Sequence, residues 1–408
     1  RQIAESGPAW QSATGRIQTK SGAGFIAVEP PGVGFHVRAF SVNDQLIIGM
    51  LSGTSRDGVD AVLVSFRKGA MDILHASCTP YPTAITVALE QLLETGKPPG
   101  DELSTLLDDH LGHFFARVAQ TLVREAGMET RDIRAIGSHG QSVWHQPVGD
   151  KPVSIQLGRG DLLARNTGIT VVCNFRSADV LAGGQGAPLA PLLHQHLFRS
   201  ETENRAVLNI GGIANLTVLP ATGGIAGFDS GPGNCLMDAW SRTHLHKDYD
   251  DHGSWARKGR VDAALLETLL SDSYFGLPAP KSTGLEHFNS HWLNRVLADF
   301  DIEPVNVQAT LSELTALSIA NSLEGHAAVR RLLVCGGGVH NSFLMRRIAA
   351  ALPDAVVEPT TRHGADPDWL EGLLFAWLAR ERLNETPQDT RRITGSARPV
   401  LLGEIYDP

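Results

Sequence analysis

Apolar positions along the chain fall into short runs broken by glycine turns, and between them lie longer stretches at helical spacing. Residues 46–50 (LIIGM) and 62–66 (VLVSF) are β-type runs that flank a polar stretch holding Ser52, Gly53, Thr54, Ser55, Arg56, Asp57, Gly58, Val59 and Asp60. The same grammar recurs at 206–219, where two β-type runs meet at Gly211-Gly212. "IRAIGSHGQSV" (133–143) and "RLLVCGGGVHNSFL" (331–344) each run a short apolar strand into a glycine turn, and the second predicts a helix from Ser342. Residues 102–126 carry Leu103, Leu107, Leu111, Phe114, Val118 and Leu122 at spacings of three and four, which predicts a helix. Residues 311–324 and 371–383 read the same way. Strands alternating with helices predict an α/β protein. A hairpin followed by a later strand–glycine turn, occurring twice, predicts an internal duplication with a cleft between two similar lobes.

Length agrees with two lobes, because 408 residues exceed what one hydrophobic core usually serves. We divide the chain into an extension (1–45), a first lobe (46–200) and a second lobe (201–408), with the C-terminal segment packing back on the first. With 42% hydrophobic and 19% charged residues the composition is that of a soluble globular protein. A formal net charge of −9 argues against a broad basic face for nucleic acid. Cys78, Cys173, Cys235 and Cys335 form no CxxC pair, so a zinc site is not expected. Buried, reduced thiols and a cytoplasmic location are. No apolar run reaches the roughly 18 residues of a membrane span. Residues 1–45 are rich in small residues and Pro and lack both an initiator Met and a secretory apolar region. They are expected to be a poorly ordered extension without chemistry.

The polar stretch after residue 50 suits phosphate. Small residues let backbone N–H groups approach an anion, and Thr54 and Ser55 add hydroxyls. Asp57 and Asp60 would repel phosphate unless a divalent cation such as Mg²⁺ intervenes. On this loop alone an Asx/Gly turn in a plain hairpin accounts for the same residues. The second hairpin changes the balance: Gly211 and Gly212 occupy the equivalent turn, and Asp229 follows in "GFDSGPGNCLMDAW" (227–240). Gly336, Gly337 and Gly338 would allow close approach of a ring or phosphate. "GLPAPKST" (276–283) is no P-loop, since Ala279 and Pro280 stand where the second glycine is needed.

"GMLSGTSRDGVD", "IGSHGQSVWHQP", "ADVLAGGQGAPLAP", "LNIGGIANLT", "FDSGPGNCLMD", "PKSTGLEHFN" and "CGGGVHN", in this order, resemble the anhydro-N-acetylmuramic acid kinases over about residues 46–407. The resemblance implies two duplicated ribonuclease H-like lobes closing over ATP and sugar, the actin-like ATPase fold. It implies ATP and Mg²⁺ as cofactors and a homodimer. The implied reaction opens the 1,6 bridge of 1,6-anhydro-N-acetylmuramic acid with water and phosphorylates O6, giving N-acetylmuramic acid 6-phosphate in cell-wall recycling. The implied water-activating base is Asp179. A carboxylate in hydrogen-bond reach of water suits that task, whereas its plain alternative is a helix or turn cap.

The remaining roles follow from the same match. Gly53 to Asp60, Gly211, Gly212 and Gly336 to Gly338 are expected to bind ATP. His139, Gln141, Gln185 and Glu371 are expected to bind substrate; a packed core histidine explains His139 equally well, and the plain alternative for Glu371 is a carboxylate favouring a helix N-terminus, over which the match favours a sugar-site role. Asp57 and Asp229 are the candidate Mg²⁺ carboxylates, directly or through water. Asn174 stands where the family pattern has Asp, and Leu285 where it has Arg. The rivals are a kinase for an ordinary sugar hydroxyl and a nucleotide-gated binding protein without enzymatic activity.

Overall fold

The computed structural model describes residues 25–28, 36–39, 45–53, 56, 58–67, 70–149 and 151–408. Within the N-terminal extension, β1 (Phe25–Val28) and β2 (His36–Ala39) pair antiparallel and, among the described residues, form a two-stranded sheet. The rest of the expectation for residues 1–45 lies outside the described residues, apart from Gln45, which opens the first strand of the first lobe.

That lobe contains β3 (Gln45–Ser52), β4 (Gly58–Arg67), β5 (Ala70–Pro80), α1 (Thr83–Glu94), α2 (Glu102–Glu125), β6 (Ala135–Gln146), β7 (Val153–Leu157), α3 (Gly160–Thr167), β8 (Val171–Cys173), α4 (Ser177–Leu181) and α5 (Ala190–Phe198). The second contains β9 (Arg205–Ile210), β10 (Ile213–Leu219), β11 (Ala226–Pro232), α6 (Cys235–Leu245), α7 (Ala263–Leu270), α8 (Ser290–Leu297), α9 (Pro304–Ser322), β12 (Arg331–Cys335), α10 (Ser342–Ala351) and β13 (Val356–Pro359). α11 (Leu370–Leu383) and β14 (Glu404–Tyr406) close the chain.

Duplication is written into the sheet order. In the first sheet β3, β4 and β5 form an antiparallel meander, and β6 and then β8 join β3 in parallel. In the second, β9, β10 and β11 form the same meander, and β12 and then β13 join β9 in parallel. This common order and sense is the ribonuclease H-like arrangement, present twice. β7 and β14 are additions to the first sheet. One expectation fails locally: "IRAIGSHGQSV" does not turn at Gly140. β6 runs on to Gln146, because Gly140 at φ 76° kinks the strand and brings it against Leu157 without a side chain to clash.

Alternation along the strands builds three cores. Leu46, Ile48 and Met50 face an outer core with Leu111 and Phe115 of α2, whose N-terminus is capped by Asp101. Ala206, Leu208 and Ile210 face the outer core of the second lobe. The opposite faces, Ile47 and Leu51 of β3 with Val207 of β9 and Leu333 of β12, share one inner core with α5 and α11. Packing crosses the chain order here: α11 lies on β3, β4 and β6, while α5 lies on β9 and β10. Gly49 and Gly137 let α11 sit directly on the sheet, since a Cβ at either would strike the backbone oxygens of Gly372 or Phe375.

His194 of α5 is buried and hydrogen-bonded to Thr217 of β10 at 2.9 Å. Burial pushes its imidazole down to about 4. A folded value below the unfolded one means that stability is complete above pH 6.5 and is lost as pH falls toward 4, by up to about 3 kcal/mol. Buried His139 adds a contribution of the same sign. Denaturant midpoints between pH 7.5 and 4.5 should therefore fall more steeply in the natural protein than in His194→Gln. Parallel slopes would assign the acid sensitivity elsewhere.

The cysteines differ from expectation at one position. Cys335 is buried and Cys173 and Cys235 are partly so, whereas Cys78 is exposed on β5, an outer strand of the meander. Burial pushes the Cys173 and Cys235 thiols up to about 12. Among the described residues, no helix is long and apolar enough to cross a membrane.

Candidate active site

The first loop is held by its own strand ends. Ser52 Oγ is buried and lies 2.9 Å from the carbonyl of Gly58 and 2.6 Å from Oε1 of Gln141. The Gln141 amide also donates to the carbonyls of Gly53 and Ser142. Gln141 is thus buried and braces the loop, with its amide engaged by the protein. Arg56 takes a left-handed φ of 57°, and its N–H donates to the carbonyl of Gly53. Val59 buries its side chain in the outer core and pairs with Thr79 of β5. Thr54, Ser55 and Asp57 lie outside the described residues.

The second hairpin meets α6. The carbonyl of Gly211 accepts from the N–H of Asn234, and that of Gly212 from the N–H groups of Gly233 and Cys235. A Cβ on Gly336 would strike Asn209, and one on Gly338 would strike Ile210, so the Gly336–Gly338 turn lies against the end of β9. Gly211, Gly212 and the Gly336–Gly338 turn thus lie together at the end of β9 in the second lobe.

Asp179 lies on α4 and is fully buried. Its Oδ2 accepts from the N–H of Gly186 at 2.7 Å, and its Oδ1 accepts from the hydroxyls of Thr390 and, at 2.8 Å, Thr394. A Cβ on Gly184 would overlap the carboxylate, so glycine there keeps the Oδ2 face clear. The bound carboxylate is no helix cap; it ties α4 to the 183–186 loop and to the C-terminal segment.

Arg176 completes the loop. It donates from Nη1 to the carbonyl of Gly186 at 2.7 Å and from Nε to Nε2 of His139 at 3.0 Å. Burial pushes its guanidinium down to about 10, opposed by the charges of Glu371 and Asp179. Burial and then Arg176 hold His139 well below its ordinary value. It is neutral, with Nδ1–H toward the carbonyl of Gly140 and Nε2 accepting from Arg176. Both nitrogens being engaged, His139 bears on the site through Arg176. Gln185 is exposed, its backbone N–H held by the carbonyl of Thr394.

Glu371 opens α11 and reaches the second lobe, where Asn209 Nδ2 approaches it at 3.5 Å. The residue is exposed, yet the surrounding protein desolvates its carboxyl. Desolvation raises it above the ordinary value, the charge of Asp60 adds to the rise, and Arg176 opposes it. Asp60, Arg176, Asp179 and Glu371 thus share one field, although they come from β4, the N-cap of α4, α4 itself and α11.

Asp229 binds the 281–283 segment: Oδ1 accepts from Asn215, and Oδ2 from Ser282 Oγ and the N–H of Thr283, both at 3.0 Å. Among the described residues no group of three or more His, Cys, Asp or Glu converges on a metal position. Mg²⁺ beside phosphate retains several waters and takes one or two carboxylates, so it would not need such a group. Asp229 suits a water-bridged contact, which leaves its bonds intact. Lys281 is engaged by the carbonyls of Tyr274 and Phe275 and lies over the Tyr274 ring. A cavity of about 460 Å³ opens beside Tyr274, Ser282, Thr283 and Glu286, away from Asp179.

The departures at 174 and 285 have local readings. Asn174 adopts φ 55°, which Asn tolerates, and donates to Glu404 at 2.7 Å, where an ionised Asp would be repelled. Leu285 is 43% exposed and borders Gly212. Sequence reasoning missed Arg176, Asn209, Thr390 and Thr394. Asn209 adjoins the Gly211-Gly212 turn and was within reach of the motif, whereas the threonines carry no local signal.

Residues 45–408 match the family described as anhydro-N-acetylmuramic acid kinase. The chain is 46% identical over 373 residues to the anhydro-N-acetylmuramic acid kinase of Xanthomonas campestris pv. campestris (strain 8004), covering 89% of this chain and 98% of that one. It is 44% identical over 366 residues to the enzyme of that name from Vibrio cholerae serotype O1, covering 89% and 99%. A solved structure, the activator of the 2-hydroxyisocaproyl-CoA dehydratase from Clostridium difficile with bound ADPNP, aligns with a TM-score of 0.43 at 14% identity over 84% of this chain and 97% of that one. The family match runs through both sheets, the Asp179 loop and the C-terminal segment that holds it, and on that ground the chain belongs to the anhydro-N-acetylmuramic acid kinase family.

Proposed function

We propose that this protein uses ATP to convert 1,6-anhydro-N-acetylmuramic acid and water into N-acetylmuramic acid 6-phosphate, with Asp179 as the base. The observation that supports it most directly is the Asp179 loop. It is a carboxylate held in place by three donors, beside a guanidinium whose charge also reaches Glu371 across the cleft.

The chemistry follows from those groups. Asp179 accepts a proton from water as its oxygen bonds to C1. The C1–O6 bond breaks, O6 takes the γ-phosphoryl group, and ADP leaves. Glu371 and Gln185 line the sugar side and orient the ring, and neutral His139 seats Arg176. The Gly53, Gly211–Gly212 and Gly336–Gly338 segments offer backbone donors to the nucleotide, with close approach allowed by the absence of side chains. Asp57 and, through water, Asp229 would hold Mg²⁺, which neutralises phosphate charge when bound. Asp179 is closed to bulk solvent here, so sugar binding must open the 183–186 loop or rearrange the lobes to admit the attacking water.

An ADP-release assay tests the substrate. With Mg·ATP, release should require 1,6-anhydro-N-acetylmuramic acid and fail with N-acetylmuramic acid or N-acetylglucosamine. In ¹⁸O-water the first product should carry label at C1. Release with an ordinary sugar, or an unlabelled first product, would point to direct phosphorylation of a free hydroxyl.

A further inference from the structure

We propose that the C-terminal segment 390–396 is a positioning element for the base. On this reading Thr390 and Thr394 fix Oδ1 of Asp179, so that Oδ2 is the oxygen that takes the proton. The proposal rests on the assignment of Asp179 as base.

α4 has only five residues and cannot by itself fix a side chain. The restraint comes from the segment that follows α11. The carbonyl of Thr394 accepts from the N–H of Gln185 at 2.9 Å, and the N–H of Ala397 donates to the carbonyl of Ala182 at 2.8 Å. These bonds lie on either side of Asp179 and seal it from solvent. Inside the seal, the two threonine hydroxyls occupy both acceptor positions of Oδ1. Among the described residues Oδ2 accepts only from Gly186, which leaves one position on the side that Gly184 keeps clear. Arg176 is a charged group that interacts with the carboxylate, and Arg176 also interacts with Glu371.

The hydroxyls also have second partners. Thr394 Oγ1 lies 3.2 Å from the carbonyl of Thr390, Thr390 Oγ1 lies 2.7 Å from Ser396 Oγ, and Ser396 Oγ lies 3.0 Å from the carbonyl of Arg398. When Oδ2 gains its proton and Oδ1 becomes a weaker acceptor, each hydroxyl can turn its proton without leaving a buried donor unpaired.

The test measures kcat, the KM for each substrate and the thermal midpoint in Thr390→Val, Thr394→Val, the matching Ser variants and Asp179→Asn. Alanine replaces valine where a valine variant does not fold. Each hydroxyl loss should lower kcat about ten- to a hundredfold, the scale of a hydrogen bond to a charged group, with the KM for ATP unchanged. Serine at either position should restore most of the rate. Unchanged kcat in the valine variants, with Asp179→Asn inactive, would overturn the positioning role and leave the base in place. Equal losses in the serine and valine variants, tracking the thermal midpoint, would reduce the segment to packing. An active Asp179→Asn would overturn the base assignment and this proposal with it.

Discussion

Asp179→Asn is expected to lower kcat by about 10² to 10⁴, the usual contribution of a positioned general base, while ATP still binds. Asparagine matches the carboxylate in shape and cannot take the water proton. Its oxygen can still accept from Thr390 and Thr394, but its amide nitrogen would face the N–H of Gly186, donor against donor. That mismatch costs about 1–3 kcal/mol, so a lower thermal midpoint should accompany the kinetic loss. Steady-state turnover, nucleotide titration and thermal unfolding on the same preparation separate the effects. Turnover within a few-fold of the natural protein would remove Asp179 from the mechanism. Loss of ATP binding would show that it supports the nucleotide side of the cleft.

Gly137→Ala should be as damaging although it touches no substrate. Gly137 lies in β6 under α11, and an added methyl group would strike the backbone oxygen of Phe375. Backbone cannot move aside as a flexible side chain does, so α11 must lift. The Phe375 ring packs on both the His139 ring, at 4.6 Å, and Phe175, so the lift disturbs the seat of Arg176. One turn earlier on the same helix stands Glu371. Overpacking of this kind costs about 1–3 kcal/mol and occasionally more. We expect a lower denaturant midpoint together with at least a tenfold fall in kcat/KM for the sugar. Gly100→Ala, where the methyl group meets nothing within 4 Å, is the control and should change neither. Normal stability and activity in Gly137→Ala would mean that α11 can shift freely, and that the placement of Glu371 does not depend on it.

The hairpins at 46–66 and 206–219, the helices over 102–126 and 371–383 and the glycine turn at 336–338 were all legible because each is a local pattern. Period-two burial, helical spacing and turn residues act within a few positions of one another. Duplication was legible too, since repeated local grammar survives where sequence identity does not. Gly140 misled, because a glycine marks both a turn and a kinked strand, and only the pairing of β6 with β7 decides between them.

The amino-acid sequence by itself therefore determined the two-lobed α/β plan, the glycine segments suited to phosphate and, through ordered motifs, the family and its Asp179. Tertiary structure alone decided how that carboxylate is held. Thr390 stands 211 residues from Asp179, and Asn209 stands 162 from Glu371. It also placed His139 and Gln141 in the interior, bonded to Arg176 and Ser52 respectively. The physical reason is range. Patterning encodes which face of an element is buried, whereas a hydrogen-bond partner is chosen by whichever distant segment packing brings within about 3 Å.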